Sequence, residues 1–209
     1  MREDVLRKAA DDPRGTAARI LDAAEEVFAE EGYLAASTRR IAKRARVPFG
    51  ALHYHWGSKK QLWEAVWRRL DERTRETVLR NLVPGRSPGE TIDNMVDAFM
   101  DVFLKDPNAA RLSYRIALER GDLHTRGVRE LMEEQGKFGL EILRKALPGV
   151  EMDGAAALLI LANAFVSAIV DVPGQKALLG ASISTSREAR ERLRAELKRF
   201  GRAAFKVTG

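Results

Sequence analysis

The 209-residue chain predicts an all-α protein of about nine helices, with a small N-terminal three-helix domain followed by a larger helical domain. Three observations carry this. Apolar residues recur at spacings of three and four through most of the chain. No alternating apolar and polar run of strand length occurs, and no internal repeat. Glycines and prolines punctuate the ends of the periodic segments. A chain of this length can bury roughly 70% of its unfolded surface, enough for a sizeable core.

Residues 1–13 are of mixed charge, end in Asp-Asp-Pro and read as a mobile N-terminal arm. The first helix runs from Arg14 to Glu31, with Ile20, Ala24, Val27 and Phe28 on one face and Gly32 as its terminator. Ser37 caps a short second helix whose buried face is Ile41, Ala42 and Ala45. Arg46 and Val47 form a turn. Pro48 opens the third helix, where its missing N–H costs nothing, and Leu52 and Trp56 face inward. Gly57 ends that helix, and Ser58 caps a long fourth one reaching about Leu82.

Pro84, Gly85, Ser87, Pro88 and Gly89 then break the chain. Ile92, Met95, Val96, Phe99, Met100 and Phe103 make a fifth, amphipathic helix that stops before Asp106 and Pro107. Asn108–Arg120 is the sixth, ended by Gly121. Thr125–Leu147 is the seventh, with Leu131, Phe138, Ile142 and Leu143 inward. Asp153–Val172 is the eighth, apolar on nearly all sides, and a looser segment holding Pro173, Gly174 and Gly180 follows. In the ninth helix, capped by Ser186, Ala189, Leu193, Leu197, Phe200, Ala204 and Val207 form a seam close to that of a coiled coil.

Charge narrows the function. Gly32 to Trp63 holds no acidic side chain, yet carries Arg39, Arg40, Lys43, Arg44, Arg46, Lys59 and Lys60. Its charge of +7 exceeds the +6 of the whole chain, leaving −1 for everything else. Two short helices joined by a tight turn inside such a window suit a polyanion, and double-stranded DNA is the expected partner. The N-termini of the second and fourth helices offer free N–H groups to phosphate. Arg39 and Arg40 lie in the first turn of the second helix, where the helix dipole disfavours cations and an incoming phosphate relieves them.

Three segments carry a resemblance to a known family: RILDAAEEVFAEEGY at 19–33, STRRIAKRARV at 37–47 and GALHYHWGSKKQL at 50–62. Together they closely resemble the N-terminal domain of the TetR family of bacterial transcriptional regulators, over roughly residues 16–66. The rest of the chain resembles the family only in helix count and length. The resemblance implies a helix-turn-helix DNA-binding domain at 14–62, and a ligand-binding and dimerisation domain at 63–209. It also implies a homodimeric repressor on a near-palindromic operator, released by a small effector, in the cytoplasm.

Carried over by position, the resemblance places Thr38 against a phosphate, after the capping Ser37 and beside Arg39. Pro48, Phe49, Gly50 and Ala51 become the base-facing start of the recognition helix. His53 and Tyr54 reach the backbone, and Lys59, with Lys60 beside it, contacts a phosphate. Two departures stand out. Arg46 occupies a turn position usually held by Gly, where a left-handed conformation costs about 1 to 2 kcal/mol and could reshape the turn. The recognition helix also opens without hydrogen-bonding side chains. That leaves thymine-methyl contact, backbone positioning and DNA deformability for readout, unless Phe49 simply packs on the second helix.

For the effector, Met95, Phe99, Phe103 and Phe138 with Tyr114, Gln135 and Asn163 as polar handles suit an apolar or aromatic molecule. Gly136 and Gly139 leave room for a ligand or for close packing. The dimer is expected through the helices near 153–172 and 186–207, packed as four helices across a two-fold axis. The many cations of the last helix read as a solvated face with pairs such as Glu188 with Arg192.

Other classes fare worse. With no cysteine there is no disulfide, thiolate zinc site or cysteine nucleophile. No metal is expected, since His53 and His55 point to different sides of a helix and His124 is distant in sequence. No cofactor is expected either. Neither a nucleophile motif nor a phosphate-cradling glycine loop marks an enzyme. The longest apolar stretch, Ala155–Val172, is interrupted by Asn163, Ser167 and Asp171 and is shorter than the ~20 residues of a membrane span. The competing readings are a transcriptional activator, a ligand-independent architectural DNA-binding protein, or an adaptor using the helix-turn-helix as a scaffold.

Overall fold

The computed structural model describes residues 15–83, 85–118, 126–147 and 154–207. Ten helices lie among them: α1 (Thr16–Ala35), α2 (Thr38–Ala45), α3 (Phe49–Trp56), α4 (Lys59–Asn81), α5 (Pro88–Lys105), α6 (Pro107–Leu118), α7 (Arg126–Ala146), α8 (Gly154–Val170), α9 (Val172–Leu179) and α10 (Arg187–Ala204). No strand occurs among the described residues. The N-terminal arm and the expected boundaries at Gly121, Thr125, Pro148 and Asp153 lie outside the described residues.

Several boundaries differ from expectation by one to four residues, and two segments read as breaks or loose chain begin helices. α5 begins at Pro88, because Ser87 and Glu90 form a reciprocal capping box: Glu90 N–H donates to Ser87 Oγ at 3.2 Å, and Ser87 N–H donates to Glu90 Oε2 at 2.8 Å. Pro88 sits in the first turn, so the Ser-Pro-Gly run starts a helix rather than breaking one. The segment expected to be loose is α9. Asp171 accepts from Gly174 N–H at 3.0 Å, Pro173 lies in the first turn, and Gly180 closes the helix in a left-handed conformation (φ 79°). Buried Gln175 locks it in place, donating to the Ala168 and Ile169 carbonyls at 2.8 and 2.9 Å and accepting from Ile183 N–H at 3.1 Å.

The described residues divide into two compact units. One lies within Met1–Glu72 and Arg111–Leu131, the other within Arg73–Ala110 and Met132–Gly209. The boundary expected at 62 and 63 falls inside α4, whose apolar stripe continues without interruption past that point.

The first unit is built on Ile20, Val27 and Phe28 of α1, Ile41 of α2, Leu52 of α3 and Leu62, Trp63 and Val66 of α4, all fully buried. Each such side chain contributes about 1.5 to 3 kcal/mol. Trp63 meets Phe28 edge-on at 4.8 Å. Trp56 Nε1 donates to the Ala17 carbonyl at 3.1 Å, fixing the end of α3 to the start of α1. From the later segment, Arg115 donates to the Ala29 carbonyl at 2.7 Å and to that of Glu30, near the end of the regular part of α1. Gly32 breaks that helix as expected, at φ 78° and ψ 172°.

In the second unit α10 lies along α5. Gly201 passes so close to Ile92 that an added Cβ would meet its methyl at 2.8 Å. Ile92, Leu147 and Phe205 form a buried cluster flanked by Leu143 and Val207. Only some of the cations of α10 form the solvated face expected from the sequence: Arg187, Arg192 and Arg199 are exposed, while three others turn to α5. Arg194 donates to Asp97 at 2.7 Å and Asp101 at 3.1 Å, Lys198 to Asp97 at 2.7 Å, and Arg202 to Asp93 at 2.8 Å. Both sets repeat every four residues, so two charge stripes on adjacent helices meet rung by rung.

Candidate nucleic-acid interface

α2, the turn and α3 form a helix-turn-helix whose geometry follows from local chemistry. The Ser37 hydroxyl accepts from Arg40 N–H at 3.2 Å, opening α2. At its end Arg46 adopts the left-handed conformation, φ 55° and ψ 47°. Arg46 N–H bonds to the Lys43 carbonyl and Val47 N–H to that of Ala42, both at 3.1 Å. This is the paired-bond stop usually made with glycine, so Arg46 does not reshape the turn. Pro48 precedes α3 as its cap residue, in extended conformation, rather than entering the helix. Leu52 and Trp56 are buried as expected.

The exposed face of α3 carries Phe49, Gly50, His53 and Tyr54. Phe49 is 43% exposed and Tyr54 86% exposed. Phe49 touches α2 through Arg39, whose guanidinium lies over its ring, and touches His53 edge-on at 4.9 Å. It therefore contacts the second helix and still faces solvent. Nothing lies within 4 Å of where a Cβ on Gly50 would be, so the start of α3 is open. Ala51 and Thr38 are half-buried.

The basic window is less bare than its composition suggests. Arg40 pairs with Glu31 at 2.6 Å, and Arg44 with Glu26 at 2.8 Å and Glu30 at 3.0 Å. The hydrogen bond from Arg44 holds the Glu30 carboxyl below its usual range, and the bonds to Glu30 and Glu26 push the Arg44 guanidinium up. The dipole strain at Arg40 is thus met by an acid of α1 rather than awaiting a phosphate. Lys59 donates to the Leu34 carbonyl at 3.1 Å and lies over the Tyr33 ring at 4.7 Å. Arg39, Lys43, Arg46 and Lys60 are exposed and form no ion pair with a described residue. Sequence reasoning missed Glu26, Glu30 and Glu31 as partners. The available signal was their spacing on α1, just outside the acid-free window.

The residues expected to meet an effector lie on α5 to α8. Phe99 and Phe103 stack at 6.2 Å, Met95 is half-buried, and Arg75 lies over the Phe138 ring at 4.6 Å. Gln135 is exposed. Asn163 is exposed too and bonds back to the Leu159 carbonyl at 2.8 Å. Tyr114 belongs to the first unit. No group of three or more metal-ligating side chains occurs among the described residues, and no described helix is long and apolar enough to cross a membrane.

An all-helical chain with this N-terminal arrangement is a helix-turn-helix protein. Residues 20–66 match the family model described as bacterial regulatory proteins, tetR family. The HTH-type transcriptional regulator TtgW of Pseudomonas putida is 40% identical over 62 residues, covering 30% of this chain and 46% of that one. The HTH-type transcriptional repressor AcnR of Corynebacterium efficiens is 37% identical over 71 residues, covering 34% and 38%. The matched stretch thus spans less than half the length of either relative. A TetR-like transcriptional regulator from Rhodococcus sp. RHA1 superposes with a TM-score of 0.66 at 23% identity, over 90% of this chain and 96% of the other. Residues 20–66 of this chain are thus similar to the tetR family model, and the chain shares its fold with that TetR-like regulator over 90% of its length.

Proposed function

We propose that the chain is a homodimeric transcriptional repressor that binds a near-palindromic operator and is released by a small, largely apolar or aromatic effector. The observation that carries the DNA-binding part is the α2–turn–α3 unit with Arg39, Lys43, Arg46 and Lys60 exposed, and without an ion pair among the described residues, beside the open start of α3. Ser37 and Thr38 at the start of α2, and Lys59 and Lys60 at the start of α4, are assigned to backbone contacts. Pro48, Phe49, Gly50 and Ala51 face the bases.

Dimerisation through α8 and α10 is supported by apolar side chains left in solvent: Leu159 and Ile160 on α8 are 66% and 58% exposed, and Phe200 on α10 is 46% exposed. Effector binding is assigned to the second unit, around Phe99, Phe103 and Phe138. AcnR is named a repressor, which favours repression over activation. Such a regulator acts in the cytoplasm, where the chromosome lies.

The test is fluorescence anisotropy on DNA from immediately upstream of the chain's own gene, against a scrambled duplex in a salt series. If the dimer neutralises about eight phosphates, affinity falls by several orders of magnitude from low to moderately high salt. Binding no tighter than to scrambled DNA counts against a local operator. DNA binding that no small molecule alters favours the architectural reading.

A further inference from the structure

We infer that His53 is a protonation-dependent phosphate contact, so that DNA affinity rises as pH falls. The inference rests on the DNA-binding reading and adds a regulatory property to that site.

His53 Nδ1 lies 2.8 Å from the Gly57 carbonyl oxygen. A carbonyl oxygen only accepts, so Nδ1 carries the hydrogen and donates. In the neutral ring that hydrogen is the only one, and Nε2 presents a lone pair. A lone pair repels a phosphate oxygen. Only the imidazolium has a second N–H to offer from Nε2, and a charge-assisted bond to phosphate is the stronger kind.

The acceptor of the Nδ1 bond is itself held in place. Gly57 N–H bonds back to the His53 carbonyl at 2.9 Å, and Gly57 itself is held at φ 72°, so the acceptor is anchored to the residue that uses it. His53 is exposed and lies one turn from Phe49, with the two rings perpendicular at 4.9 Å. It therefore shares the outward face of α3, away from buried Leu52 and Trp56.

The other titratable groups of this region are Tyr54 and His55 on the same helix, Arg39 and Lys43 on α2, Arg46 in the turn, and Lys59 and Lys60 at the start of α4. Glu26, Glu30 and Glu31 of α1 are engaged with Arg40 and Arg44. An arriving phosphate would place a negative charge beside the ring. Binding accordingly takes up one proton at each His53.

The experiment measures anisotropy of the full chain on a duplex it binds, at constant salt from pH 8 to pH 5.5, for wild type, His53→Gln and His55→Gln. Wild type should tighten about tenfold per protomer as pH falls, the size of one charged hydrogen bond. His53→Gln, whose amide donates at every pH, should be nearly flat, while His55→Gln keeps the slope. Independently, 15N shifts of the free protein at high pH should show His53 with its proton on Nδ1. A slope that survives in His53→Gln, a wild type without a slope, or a proton on Nε2 would each overturn the inference while leaving DNA binding intact. No salt-sensitive duplex binding at any pH would remove the DNA-binding reading and this inference together.

Discussion

The guanidinium of Arg39 lies over the ring of Phe49, its Cζ 5.8 Å from the ring centroid, joining the first turn of α2 to the first residue of α3. Arg39 meets an aromatic face where its neighbour Arg40 meets a carboxylate. This leaves a planar cation and an apolar edge side by side at the open start of α3.

Phe49→Ala is therefore expected to narrow the gap between operator and random DNA, because it removes both the apolar contact and the platform under Arg39. Anisotropy on the two duplexes measures the gap. An unchanged ratio would show that Phe49 does not contribute to readout.

Lys60→Ala should weaken all duplexes alike and flatten the salt slope by about one per protomer, as loss of a phosphate contact does. Lys59→Ala should do the same and also lower stability, since Lys59 ties the Leu34 carbonyl and the Tyr33 ring. Urea unfolding separates the two variants.

Arg46→Gly should raise stability by up to about 1 kcal/mol, by relieving a left-handed non-glycine residue. The gain is partly offset by the greater freedom of glycine in the unfolded chain. The same variant should bind DNA less tightly, having lost an exposed cation. A fall in stability would show that Arg46 makes favourable contacts outweighing its backbone cost.

Asp97 links α5 to α10 and supplies an acid-sensitive step. Burial works to raise its carboxyl, but hydrogen bonds from Lys198 and Arg194 outweigh that and hold it below the usual carboxylate range. A depressed folded-state value means the stabilisation is present above the unfolded value, about 3.9, and is lost as pH falls through the folded one. Its size is at most about 1 kcal/mol, because the side chain is 38% exposed. Urea titrations from pH 7 to pH 3 should therefore decline less steeply for Asp97→Asn than for wild type.

Ile160→Glu tests the proposed dimer. The side chain is 58% exposed, so the fold should tolerate the charge. Light scattering should report a monomer, and operator binding should weaken sharply as the second half-site contact is lost. A stable dimer would place the interface elsewhere.

Local sequence determined the helices that depend on nearest neighbours. Ser37 before α2, Gly32 and Gly57 as stops, and Leu52 and Trp56 one turn apart are short-range signals, and each appears where the spacing predicts it. The start of α5 and the whole of α9 carried equally local signals in Ser87 with Glu90 and in Asp171 with Pro173. There the same Pro and Gly residues that break chains also begin and end helices.

Tertiary structure alone decided which charges remain available. Arg44 is answered by Glu26 and Glu30 from a different helix, and Arg194, Lys198 and Arg202 by a stripe of aspartates some hundred residues earlier. Periodicity shows which face of a helix a cation occupies, but its partner depends on which helix docks there and in what register. A composition of +7 therefore marked a basic surface, and the packing of α1 against α2 paired Arg40 and Arg44 of it with carboxylates.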